Sequence, residues 1–167
     1  MSRLSFPPVT TNHIDSVSRL AGEIWPLVYS GMISGEQIDY MLNWMYDPAR
    51  IRDEMAEGIA YHFLDFDGEH IGFMSFGPLV RGGLVFVHKL YLHPDYHRRG
   101  FGKAALDEIE KIVRSSGGIG LELRVNRNNE RAVPLYRKAG FELLGEECKD
   151  IGAGFVMDDF IFRKTFH

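Results

Sequence analysis

The succession of backbone signals from residue 84 to residue 125 limits the possible folds more than any other feature of this chain. LVFVHKLYLH is rich in branched and aromatic side chains, as a strand requires, and runs from Gly82-Gly83 to Pro94. Helical spacing follows from Phe101 to Arg114, with Leu106, Ile109 and Val113 on one face, and stops at Gly117-Gly118. A second strand occupies residues 119–125. Strand, helix and strand in succession imply a parallel pair, because the crossover helix carries the chain back to the same end of the sheet.

The other strand signals point to antiparallel neighbours. Residues 59–66 and 69–76 are extended runs flanking Asp67-Gly68, a two-residue hairpin turn. After a helix over about 129–139, closed by Gly140, two further extended runs cover 141–146 and 155–166. The N-terminal part reads as helical. Ile14, Val17, Leu20, Ala21 and Ile24 share a face behind a Thr11 or Asn12 cap, and Pro26 is expected to disturb that helix. Ser34 and Gln37 have capping-box spacing before the Ile38, Met41, Leu42, Met45 stripe, and Asp47-Pro48 opens a third helix ending near Gly58. The fold class expected is therefore α/β of the α+β kind: a mixed, mostly antiparallel central sheet with one parallel pair, flanked by helices.

A chain of 167 residues with 45% hydrophobic side chains suits one domain with its own core, so residues 1–167 are read as a single domain. The formal net charge of -4 gives no general attraction to nucleic acid or to an anionic membrane, and suits a cationic small substrate. Cys148 is the single cysteine, so no intramolecular disulfide and no cysteine-based metal site is expected. The first residues, MSRLSFPPVTT, lack the pattern of a secretory signal, which makes the expected location cytoplasmic.

The junction between strand and helix, YHRRGFGKAAL, admits two readings. Glycine lets a strand turn sharply into a helix. The same geometry aims several backbone N–H groups one way at the positive end of a helix dipole, which binds phosphates, and His97, Arg98, Arg99 and Lys103 add cations around Gly100 and Gly102. A Walker loop is excluded, since it would need glycine at His97 and a hydroxyl at Ala104. A dinucleotide fingerprint is excluded because its third glycine would fall at Ala105.

VHKLYLHPDYHRRGFGKAAL resembles the acetyl-CoA-binding segment of the Gcn5-related N-acetyltransferases, whose pattern is [QR]-x-x-G-x-[GA] between a strand and a helix. LRVNRNNERAVPLYRKAGF resembles the second signature of that family, N-x-x-A-x-x-LY-x-x-x-GF, in the same order along the chain. The likeness covers residues 59–166, and within the family it is greatest to bacterial polyamine acetyltransferases and their uncharacterised relatives. The resemblance implies an acetyl-CoA cosubstrate, no metal, and a division into a helical acceptor-site segment, 1–58, and a sheet with the coenzyme core, 59–167. It also implies transfer of an acetyl group to a primary amine of a polyamine, another small amine or a peptide N-terminus, and it admits a homodimer.

The resemblance further assigns roles to residues. Leu90, Tyr91 and Leu92 lie on the strand edge that pairs with the pantetheine arm, and His97, Arg98, Arg99, Gly100, Phe101, Gly102 and Lys103 form the pyrophosphate cradle. His97 stands where the family has Gln or Arg, which leaves the main-chain amides to carry that contact. Asn129 matches the asparagine that contacts pantetheine, and it reads equally as a helix N-cap. Tyr136 matches the tyrosine that protonates the departing thiolate, with a partly buried core tyrosine as the alternative. His88 stands where many relatives carry a glutamate base, with a plain strand histidine as the alternative. The acceptor site is expected among Tyr29, Tyr40, Trp44 and Glu36, with Asp150, Asp158 and Asp159 supplying negative charge. A non-catalytic coenzyme-binding sensor is the rival to the enzyme, because a fold does not guarantee an activity.

Overall fold

The computed structural model describes residues 3–167. Its strands are β1 (Leu4–Ser5), β2 (Ala60–Phe66), β3 (Glu69–Phe76), β4 (Leu84–Leu92), β5 (Gly120–Asn126), β6 (Glu142–Gly152) and β7 (Phe155–Thr165). The helices are α1 (Ile14–Tyr29), α2 (Gly35–Met45), α3 (Pro48–Ala56), α4 (Phe101–Ser115) and α5 (Ala132–Lys138). One sheet runs in the order β1-β2-β3-β4-β5-β7-β6, antiparallel throughout except for the parallel pair β4 and β5. This is the mixed architecture that the element order requires. Among the described residues no helix is long and apolar enough to cross a membrane.

The pleat of the strands sorts side chains between two cores. Tyr61, Phe63 and Phe73 join α1, α2 and α3, whereas Leu64, Met74, Phe76, Val85 and Val87 join α4 and the C-terminal strands. Helices α2 and α3 start at their expected caps: the Ser34 hydroxyl accepts from the Gln37 amide at 3.1 Å, and Asp47 accepts from the Ala49 amide at 2.9 Å. Helix α1 does not, since Thr11 and Asn12 lie in a short 3-10 turn and His13 precedes the helix without a side-chain cap bond. Gln37 does not complete a capping box. Its side chain instead donates to the Val156 carbonyl at 2.8 Å and fastens α2 to β7.

Several boundaries differ from the sequence expectation. Helix α1 runs through Pro26 to Tyr29, because one missing donor is outweighed by the burial of Trp25 and Tyr29 on either side of it. Strand β1 is a two-residue addition to the sheet edge, and β6 extends to Gly152, well past residue 146. Both lie at the margin of the sheet, where β6 is exposed on most positions and carries no apolar alternation to read. Helix α5 begins at Ala132, so Pro134 sits in its first turn, where an N–H has no helical acceptor anyway.

Two irregularities position the site. Pairing of β4 with β5 covers only Leu84–Val87 against Gly120–Leu123, and both strands then continue without each other. On the other side of β4, Lys89 opposes Ser75 and Val87 opposes Phe76, so His88 is an extra residue in the ladder, a β-bulge.

Candidate functional site

A cleft of about 1200 Å³ lies where β4 and β5 part, bounded by both strands, the start of α4, α5 and the facing side of α1 and α2. The free edge of β4 forms one wall. The His93 amide donates to the carbonyl of Ile71 in β3, and alternation along the strand then aims the Leu90 and Leu92 amides away from β3 into the gap. The Leu92 carbonyl is already taken, since His97 Nε2 donates to it at 2.8 Å.

The turn into α4 has the features of an anion cradle. Arg98 at φ 62° and Gly100 at φ 80° adopt left-handed backbone, with Arg99 between them. Among the described residues, the amides of residues 98–103 donate to no acceptor, and the first helical bond is from Ala104 to Gly100 at 3.1 Å. Six unpaired donors at a helix N-terminus present the main-chain dipole arrangement that suits an anion. A Cβ at Gly100 would meet nothing, so its glycine answers to the backbone angle. At Gly102 a Cβ would come within 3.0 Å of Leu135 Cδ2, so that glycine answers to the approach of α5.

The basic side chains around the turn are mostly engaged elsewhere. Arg99 lies over the rings of Phe66 and Phe101 at 4.9 and 5.0 Å and stands outside the cleft lining. Lys103 pairs with Asp107 at 3.0 Å. His97 accepts at Nδ1 from Arg131 at 3.3 Å, so both of its ring nitrogens have partners; burial and the Arg131 charge lower its pKa against the effect of the Leu92 carbonyl. Among the described residues Arg98 alone of these cations makes no hydrogen bond, ion pair or ring contact. Arg131 was not foreseen: it sits between motif positions, and only the fold brings it against His97.

Tyr136 is 7% exposed, its ring packs near Phe141 and Phe162, and its hydroxyl has no partner among the described residues. The residue nevertheless lines the cleft, and burial raises its pKa, keeping the hydroxyl protonated. The ring thus belongs to the core, and the residue also borders the cleft. Asn129 lies two residues before the Arg131 N-cap of α5, accepts from the Ala132 amide at 3.2 Å and also lines the cleft. His88 keeps solvent access at the bulge. Its Nε2 lies 2.8 Å from the Gly77 carbonyl, which can only accept, so Nε2 carries the proton and Nδ1 holds the basic lone pair. Desolvation lowers its pKa from 6.5, opposed by the Gly77 bond.

The acceptor-side residues divide. Tyr29 lines the cleft, with its hydroxyl 3.0 Å from that of Tyr91 and its pKa pushed up to about 12 by burial. Tyr40 and Trp44 stand apart from the lining: Tyr40 donates to the Ile151 carbonyl at 2.6 Å, and Trp44 carries the Arg50 guanidinium at 4.8 Å. Glu36 lies in the exposed first turn of α2. Asp150 accepts from the Gly152 amide at 2.8 Å and Asp158 pairs with Arg127 at 3.1 Å, both outside the lining. Asp159 alone of the three faces the cleft. It is 6% exposed, its carboxylate has no hydrogen bond or ion pair among the described residues, and burial pushes its pKa up to about 6, with Arg124 acting to lower it and Asp158 and Glu147 to raise it.

Lys89 is a further cleft residue that alternation alone would not find. It is 5% exposed, donates to the Tyr61 hydroxyl at 3.0 Å and lies 3.5 Å from Glu54; burial lowers its pKa against the pull of Glu54.

Comparison with known proteins shows the family and the fold. The family described as Acetyltransferase (GNAT) family matches residues 24–141. A spermidine N(1)-acetyltransferase of Thermoplasma acidophilum is 27% identical over 150 residues, 87% of this chain and 89% of that protein. An uncharacterised N-acetyltransferase of Mycobacterium tuberculosis is 27% identical over 153 residues, 90% of this chain and 96% of that protein. In fold, the chain is similar to the PaiA N-acetyltransferase of Thermoplasma acidophilum, solved in complex with coenzyme A, with TM-score 0.82 and 24% identity over 98% of this chain and 99% of that one.

Proposed function

Because the chain belongs to the GNAT family of acetyltransferases, we propose that it transfers an acetyl group from acetyl-CoA to a primary amine of a polyamine, another small amine or a peptide N-terminus. The observation that carries this reading is the row of unpaired amides at residues 98–103, continuous through one cleft with the open edge of β4 and with Tyr136. The amides suit a pyrophosphate. The Leu90 and Leu92 amides suit the amide groups of a pantetheine arm and the thioester carbonyl, which a directed N–H polarises.

Transfer proceeds by direct attack. The amine nitrogen bonds to the thioester carbon, the carbon–sulfur bond breaks, and the thiolate takes a proton from Tyr136. The amine's own proton passes to His88 Nδ1, directly or through water. No covalent enzyme intermediate is invoked: Cys148 is exposed on β6 and outside the cleft lining. In this reading residues 1–58 and 59–167 work as one domain, the former walling the acceptor side and the latter holding the coenzyme.

Free-thiol release from acetyl-CoA with a panel of amines tests the proposal, and turnover is the expected result. Coenzyme binding without turnover on any amine would favour a sensor instead. The absence of any heat of binding with millimolar coenzyme A would overturn the reading altogether. A narrower test concerns His88. Because only neutral imidazole accepts the proton, kcat/KM with propylamine should fall as the pH drops through a pKa below 6.5. That acidic limb should vanish in His88→Ala, with kcat reduced on the order of 10²-fold, the usual size of a general-base contribution; an unchanged limb would remove His88 from the mechanism.

A further inference from the structure

A buried carboxylate without a partner is uncommon, because the charge loses its hydration and gains nothing in exchange. Asp159 is in that position. Its register partners are Asn126 on β5 and Glu147 on β6, and neither supplies a cation. The nearest cationic influence, Arg124, is committed to Glu147 at 3.0 Å and lies over the Phe86 ring at 5.1 Å. Lys89, the buried cation of the same cleft, is held by Tyr61 and Glu54. Among the described residues Asp159 therefore has no ion-pair partner, only the more distant field of Arg124, and its carboxylate borders the cleft.

The surroundings narrow what that acceptor is. Val28, Met32, Ile33 and Met41 from the N-terminal segment and Met157 from β7 contribute apolar wall to the same cleft. Soft, unbranched methionines accommodate a flexible methylene chain. A molecule with an aliphatic chain and an ammonium group away from the reacting end satisfies both features. Resting on the acetyltransferase reading above, we infer that Asp159 binds the second, non-reacting ammonium of the acceptor, so that the cleft selects diamines and polyamines over monoamines. The groups whose charge or ionisation is coupled to Asp159 are Arg124 on β5, Glu147 on β6, Asp158 beside it on β7 and Tyr29 on α1, and the two carboxylates add to its demand for a cation.

Putrescine and pentylamine test this, since they differ only in an ammonium or a methyl group at the far end. The wild-type protein should favour putrescine by about tenfold or more in kcat/KM, the scale of one charge-assisted hydrogen bond. In Asp159→Asn the ratio should fall close to one, with the loss appearing in KM for putrescine. Equal use of the two amines by the wild type overturns the inference. So does an equal loss of kcat with both, which would place Asp159 at the attacking nitrogen. Calorimetry supplies a readout apart from turnover: putrescine should bind the wild-type protein, with or without coenzyme A, and binding should be lost in Asp159→Asn. Failure of coenzyme A to bind would strike the acetyltransferase reading, whereas coenzyme binding with indifference to putrescine would strike this inference alone.

Discussion

Tyr136→Phe should lower kcat for acetyl transfer by about 10²-fold or more, the scale of a lost general acid, while leaving the protein folded. The separation of the two effects follows from the geometry. The ring supplies the packing against Phe141 and Phe162, and phenylalanine retains it. The hydroxyl makes no hydrogen bond within the protein among the described residues, so its removal breaks none. Burial also raises its pKa, so the proton is present throughout the working pH range and the loss of rate should be independent of pH between about 6 and 9, away from the tyrosine titration. Steady-state thiol release and a thermal melt on the same preparation check the result. An unchanged kcat would leave the tyrosine as a core residue only.

The second large effect is on stability. An aspartate in the unfolded chain titrates near 3.8, whereas Asp159 in the fold titrates at about 6. The folded pKa is the higher one, so the stability that this group contributes is complete below about pH 3.8 and is lost as the pH rises through about 6. Above that, the folded protein carries an uncompensated charge at a cost of roughly 1–3 kcal/mol, once screening by water in the open cleft is allowed for. Asp159→Asn should therefore raise the unfolding free energy by roughly that amount near pH 8 and by little near pH 4. Urea unfolding at the two pH values measures it, and destabilisation by asparagine near pH 8 would show that the carboxylate has found a partner. The position thus exchanges stability for a charge in the cleft, which is the expected behaviour of a residue kept for a ligand.

Much of this protein was readable from local patterns. The caps at Ser34 and Asp47, the Asp67-Gly68 turn and the apolar stripe of α4 are decided within a few residues, where propensity and turn chemistry act. The row of unpaired amides was readable for the same reason: its donors are backbone groups, and a glycine-rich strand-to-helix turn is enough to expose them. Its side chains were not. His97, Arg99 and Lys103 look like a set of phosphate-binding cations in the sequence, yet Leu92, Arg131, the aromatic rings and Asp107 claim them in the fold. Boundaries failed where long-range packing overrode local preference, as at Pro26, or where an edge strand carried too little burial to leave a pattern, as in β6.

The acceptor side shows the same division at single-residue resolution. Asp158 and Asp159 are adjacent and chemically identical, and nothing in the string of letters ranks one over the other. The pleat of β7 turns Asp158 toward Arg127 and Asp159 into the cleft. Period, turn chemistry and the order of elements determined the sheet, its parallel pair and the position of the cradle, because these depend on neighbours along the chain. Which charges are paired and which are left facing the cavity was decided only when β4 and β5 separated and β7 closed beside them, because charge pairing depends on neighbours in space.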